Sequence, residues 1–158
     1  MHIDKYENAF MWLSGIMLGA FAIAVLISVG GLGIHLPGDA GQIDPAKVDS
    51  DPDFGNPGLR SIRPGVYEVY MRLGDWQYSP ASIEVPVHSQ VTFYLTSTDV
   101  IHGFKVFDTN INAMVIPGQI TKVEHTFDRT ETFQFYCHEY CGALHPTMTG
   151  QIIVTGAP

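Results

Sequence analysis

The chain has 158 residues, 46% of them hydrophobic and 15% charged, with a formal net charge of −8. That length suits one compact domain plus an anchor, and no second domain is expected. With 16 acidic against 8 basic side chains, the surface repels nucleic acid and attracts a basic protein partner at rates that fall with salt.

The N-terminal octet, Met1-His-Ile-Asp4-Lys5-Tyr-Glu7-Asn8, carries no basic excess. Between Glu7 and Asp39 there is no Asp, Glu, Lys or Arg, and residues 9–32 are almost wholly apolar. As a helix rising about 1.5 Å per residue, that run is roughly 35 Å long and covers a hydrocarbon core of about 30 Å with some tilt. A signal peptide pairs a basic start with about 7–15 apolar residues and a small-residue cleavage site, which matches poorly here. The reading is a tail and single transmembrane helix over residues 1–34, in contact with membrane lipid. The absence of Lys and Arg from Asn8 to Ala46 places the C-terminal side outside.

Residues 35–65 are rich in Pro, Gly and Asp without apolar periodicity, and read as a linker or surface-hugging arm. From Val66 onward, short β-branched and aromatic runs alternate with turn residues. Strands are expected at 66–73, 82–85, 90–96, 102–107, 113–116, 121–127, 132–136 and 150–154. Eight short strands within residues 66–158 predict an all-β sandwich or barrel.

The last two strands flank Cys137-His-Glu-Tyr-Cys141-Gly-Ala-Leu-His145-Pro-Thr-Met148, which holds both cysteines of the chain. His102 opens an earlier strand, and loops at one end of a sandwich can bring it to the same place. Thiolate, imidazole and thioether are soft donors that select copper over magnesium, calcium or manganese. A Cys137–Cys141 disulfide and a two-Cys, two-His zinc site are the alternatives. Zinc leaves Met148 without a role, and the wider ligand set favours copper. Two thiolates can bridge a pair of copper ions, so that one electron spreads over both metals. His102 and His145 are then the strong terminal ligands, with Met148 and a loop carbonyl as weak axial donors.

Cys137-x-Glu139-x-Cys141-Gly-x2-His145-x2-Met148, with His102 upstream, resembles the binuclear copper-A motif of cytochrome c oxidase subunit II. The likeness extends through Asp99-Val-Ile-His102-Gly-Phe and Asn110-Ile-Asn112-x4-Pro117-Gly118. One N-terminal span before such a domain resembles the B-type haem–copper oxidases in particular. The resemblance implies a Greek-key cupredoxin domain outside the membrane, docked on a haem-bearing subunit I. It also implies bridging roles for Cys137 and Cys141. His102 and Met148 would serve one copper, and His145 with the Glu139 carbonyl the other. In A-type relatives the side chain at the Glu139 position also helps to bind magnesium.

The same resemblance gives Trp76, in Asp75-Trp76-Gln77-Tyr78, a place near the surface where electrons arrive; the plainer reading is a half-buried Trp packed on the sandwich. Glu7 matches a glutamate at the mouth of the proton path serving subunit I, or else simply fixes the helix end. His138 is expected to face outward, and His35, His88 and His125 to be surface histidines. Tyr136 and Tyr140 read as shields of the copper, and Trp12 as membrane-interface packing. The implied function is transfer of electrons from cytochrome c through copper-A to haem in subunit I, for oxygen reduction coupled to proton pumping. The setting is a prokaryotic plasma membrane, with the copper domain on the periplasmic side. The alternatives are the copper-A subunit of a membrane nitric oxide reductase and a membrane-tethered cupredoxin that leaves Cys137 idle.

Overall fold

The computed structural model describes residues 4–31, 38 and 40–156, and the chain divides into two compact units between His35 and Leu36. The first unit holds helix α1, Lys5–Gly31. Its 27 residues extend for about 40 Å, and its most apolar window has a mean hydropathy of 2.3. None of its residues is buried, and a helix that is apolar on every side suits a bilayer. It starts earlier than the apolar run because Asp4 and Glu7 form a reciprocal cap. The Asp4 carboxylate accepts from Tyr6 N–H at 3.2 Å, and Glu7 accepts from Asp4 N–H at 3.3 Å. Such a capping box satisfies donors that the first turn would leave unpaired. Leu32 and His35 lie outside the described residues.

The second unit is a two-sheet sandwich. One sheet runs in the order β1 (Gly58–Arg63), β2 (Val66–Gly74), β5 (Gln90–Ser97) and β8 (Thr121–Thr126), with β3 (Gln77–Ser79) paired to β2. The other runs β4 (Ser82–Pro86), β10 (Thr149–Thr155), β9 (Thr132–Tyr136), β6 (His102–Val106) and β7 (Asn112–Val115). The β2/β5 and β4/β10 pairs are parallel and the other pairs antiparallel. Alternation along β2 sends Val69, Met71 and Leu73 inward, as a strand with one buried face requires. They share the core with Phe93, Phe104, Phe135 and Ile152. The Phe104 and Phe135 rings lie 5.2 Å apart, and Tyr78 meets Phe135 edge-on at 4.9 Å. The architecture is the β-sandwich that the strand spacing predicts, in the cupredoxin-like form that the resemblance implies.

The described part of segment 35–65, residues 38 and 40–65, packs on the sandwich as an arm rather than forming a free linker. Gly41 and Ile43 bond to Ile120 and Gly118 through their main chains. A 3-10 helix at Pro45–Ser50 is capped by Asp44, and Val48 and Phe54 are fully buried. Phe54 packs edge-on against Tyr70, which stacks on Tyr94. Arg60 lies over the Tyr70 ring and pairs with Asp53, while Arg72 pairs with Asp49. Burying a large apolar side chain contributes about 1.5–3 kcal/mol, so Val48 and Phe54 hold this arm to the outer face of the first sheet. Strand β1 then extends that sheet, and the β unit begins well before residue 66.

His125 also departs from the expected surface position. It is half-buried beside Asn110, with Nδ1 3.1 Å from Asn110 Oδ1, and meets Phe127 edge-on at 4.7 Å. Burial lowers its pKa below the usual imidazole value, against an opposing pull from Asp128. The folded state therefore disfavours the protonated ring relative to the unfolded chain. The stabilising contribution is complete above about pH 6.5 and is lost as pH falls through the lowered folded value. Denaturant titrations of the metal-free protein should show stability falling across that window, with a flatter profile in His125→Asn. Equal slopes in the two proteins would contradict this.

Candidate metal centre

The site is assembled at one end of the sandwich from the start of β6 and the loop between β9 and β10. Main-chain bonds fix that loop before any metal is considered. Cys137 N–H donates to Met148 C=O at 3.1 Å, closing its base. His145 N–H donates to Gly142 C=O at 3.1 Å, and Met148 N–H to His145 C=O at 3.2 Å across a short 3-10 turn. These bonds turn the side chains at 137, 141, 145 and 148 toward one another.

The two cysteines are free thiols with their sulfurs 3.8 Å apart. Each has its own imidazole: His102 Nδ1 is 3.9 Å from Cys137 Sγ, and His145 Nδ1 is 3.4 Å from Cys141 Sγ. Met148 Sδ lies 3.9 Å from Cys141 Sγ, and the Glu139 carbonyl oxygen 3.1 Å from Cys137 Sγ. All six residues expected from the sequence therefore meet in one place. His102 is 0% exposed, Met148 1% and Cys137 4%, whereas His145 is only partly buried. Among the described residues, the donor atoms of His102, Cys137 and Cys141 form a group within 4.8 Å of one another. Two thiols, two imidazoles, a thioether and a carbonyl in a largely dry pocket fit copper, and every member of the set has a place.

Burial, reinforced by the neighbouring Cys137 thiol, pushes the Cys141 thiol up to about 11. The metal-free loop thus holds protons that an arriving metal must displace. Around the donors lies a supporting shell that the sequence alone does not reveal. His102 places Nε2 2.7 Å from Asp99 Oδ1, which leaves Nδ1 for the sulfur side. Burial works against ionisation of Asp99, but hydrogen bonds from Asp75 N–H, His102 and Val100 N–H outweigh it and hold the carboxyl below its usual range. Gly103 N–H donates to Cys137 Sγ at 3.2 Å, and Tyr78 Oη donates to Gly103 C=O at 2.6 Å. Burial, and then the two cysteines, drive the Tyr78 pKa strongly upward, so the phenol remains a donor. His102-Gly103 and Asp99 lie within a recognisable motif, but only folding brings Tyr78 to it.

Trp76 is half-buried against the loop, and its indole Nε1 donates to Cys141 C=O at 3.0 Å. The ring thus contacts the main-chain carbonyl of the candidate ligand Cys141. His138 does not face outward as expected. Its ring packs against Gly103, its Nε2 is buried, and its Nδ1 lies 3.3 Å from Glu139 Oε1. The expected shields differ too, since Tyr140 is 82% exposed and Tyr136 packs on Phe107 at 4.6 Å. Val100, Ile101 and Leu144 are also exposed, so apolar side chains border His102 and His145 in the chain. Glu7 belongs to the first unit, where it closes the helix cap.

Comparison with known proteins gives a consistent set of likenesses. Residues 76–156 match the family described as cytochrome c oxidase subunit II, periplasmic domain. A cytochrome c oxidase subunit 2 of Thermus thermophilus is 35% identical over 156 residues, covering 96% of this chain and 93% of that protein. A second Thermus thermophilus protein of the same name is 37% identical over 124 residues, covering 77% of this chain and 92% of its own length. A chain from the cryo-EM structure of a heme-copper terminal oxidase dimer superposes with a TM-score of 0.73 at 30% identity. That match covers 96% of this chain and 100% of the other.

Proposed function

This chain belongs to the cytochrome c oxidase subunit II family, as the electron-receiving subunit of a haem–copper oxidase, and we propose that it holds a binuclear copper-A centre reduced by a cytochrome c. The observation that carries the binuclear reading is the paired arrangement, with two sulfurs 3.8 Å apart and a separate imidazole beside each. Cys137 and Cys141 would hold the metal pair as thiolates, and His102, His145, Met148 and the Glu139 carbonyl would complete the donor set. Copper bound there supplies a centre that gains and loses one electron.

The chain's own residues do the rest. Asp99 fixes the His102 ring, and Gly103 N–H stabilises charge on the Cys137 sulfur. Burial of His102, Cys137 and Met148 keeps water from the donors, which limits rearrangement when the charge changes. Trp76 offers an aromatic face hydrogen-bonded to the Cys141 carbonyl, and electrons arrive there. The exposed Val100, Ile101, Tyr140 and Leu144 give the donor an apolar contact, while the acidic surface steers a basic partner.

Electrons then pass to haem in subunit I, where oxygen is reduced and protons are pumped. Helix α1 lies in membrane lipid and tethers the domain on the periplasmic side of a prokaryotic plasma membrane. Glu7, which caps the helix start through Asp4, would serve the mouth of the proton path, as the family resemblance implies. The likenesses to oxidase subunits favour this function over a nitric oxide reductase or a lone cupredoxin.

Purification of the native complex tests the proposal. Two coppers for each copy of this chain, together with a haem-bearing subunit, should accompany oxygen uptake driven by reduced c-type cytochrome. A complex that reduces nitric oxide but not oxygen would contradict the proposal. So would a chain isolated with a single copper and no haem partner.

A further inference from the structure

The turn joining β2 to β3 is strained at a revealing place. Gly74 pairs with Gln77, leaving a two-residue turn of Asp75 and Trp76 with φ of 50° and 57°. Turns of this kind suit the twist of a hairpin, but they favour Asn and Gly. A bulky aromatic at positive φ is disfavoured and persists only where its surroundings over-determine it.

Two contacts do so. Trp76 Nε1 donates to Cys141 C=O, and Asp75 N–H donates to Asp99 Oδ2 at 2.9 Å. The other oxygen of the same carboxylate, Oδ1, faces His102 Nε2 at 2.7 Å and accepts from Val100 N–H at 2.6 Å. The loop carrying Asp99 is itself pressed onto the turn. Thr98 N–H donates to Leu73 C=O at 3.0 Å, and a Cβ on Gly74 would meet Thr98 Oγ1 at 2.2 Å.

We propose that Asp99 is a positioning residue for electron capture, its two carboxylate oxygens joining the Trp76 turn to the ligand His102 so that the indole stays docked on the metal loop. One side chain thereby fixes both the arrival surface and a ligand, and the two cannot drift apart independently. A carboxylate is suited to this because it offers acceptors in two directions at once. The proposal rests on the reading of Trp76 as the place where electrons arrive.

Two measurements on the full-length protein test it. The first is hydrogen exchange of the Trp76 indole N–H in the metal-free chain, assigned with Trp76→Phe. Asp99→Ala should speed that exchange by about tenfold, the effect of losing a hydrogen bond that holds the turn. The isosteric Asp99→Asn has one oxygen acceptor instead of two and should give a smaller increase. The second is oxidation of reduced c-type cytochrome by the intact oxidase where capture limits turnover. Asp99→Ala should slow it several-fold and shift the copper absorption bands. The Asp99→Ala/Trp76→Ala double variant should lose less than the product of the two single losses, because part of the Asp99 effect runs through the turn. Unchanged indole exchange in both Asp99 variants, or additive losses in the double variant, would overturn the positioning role. Wild-type capture by Trp76→Ala would instead overturn the role of Trp76 itself, and with it the effect of Asp99 on capture.

Discussion

Cys137→Ser is expected to abolish the copper centre while the sandwich stays folded. The substitution changes little volume at a position that is 4% exposed, and the surrounding Phe104, Phe135 and Ile152 core is untouched. It removes the soft thiolate, which the hydroxyl oxygen of serine does not replace as a copper donor. The lost sulfur is the one that accepts Gly103 N–H, lies beside His102 Nδ1 and stands 3.8 Å from Cys141 Sγ. Copper content should fall, and oxygen uptake with reduced cytochrome c should drop to background, with far-ultraviolet circular dichroism unchanged. A variant that keeps one copper with an intense thiolate band, using Cys141, His145, Met148 and His102, would support a mononuclear site instead.

Gly103→Ala should damage both fold and site through a single methyl group. A Cβ there would lie 2.6 Å and 2.7 Å from the His138 ring and 2.7 Å from the His138 main-chain nitrogen. The main chain cannot swing aside like the tip of a side chain, so the stretch from Cys137 to Glu139 must move. Such overpacking costs about 1–3 kcal/mol, which corresponds to a melting temperature lower by roughly 4–12 °C. The same displacement stretches the Gly103 N–H to Cys137 Sγ bond, so the copper absorption and reduction potential should shift together with stability. A variant with wild-type melting and spectrum would show that the close approach of β6 to the loop is not needed.

The parts of this molecule that were legible in its sequence have local causes. Eight of the strands follow from β-branched and aromatic runs punctuated by Pro, Gly and Asp. The two unforeseen strands lack that signature. β1 lies between Pro57 and Pro64 with Ile62 and much of its length exposed, and β3 is only three residues long. The buried anchors of the arm over residues 40–56 were not legible because Val48 and Phe54 are isolated in the sequence, and Phe54 finds its partner Tyr70 only in the fold. The candidate ligands His102, Cys137, Cys141, His145 and Met148 were legible because soft donors are rare and most are packed into one loop. Their supports were not, since Tyr78 reaches Gly103 across 25 residues of chain, and Asp75 reaches Asp99 across 24. Spacing also cannot say which way His138 points. Its inward packing depends on the missing side chain at Gly103.

Electron spin resonance of the copper-loaded, oxidised protein tests the central claim most directly. Two sulfurs shared between two metals should make the unpaired electron couple equally to both, giving hyperfine splitting from two equivalent copper nuclei. A spectrum from a single copper nucleus at full metal loading would contradict the binuclear centre.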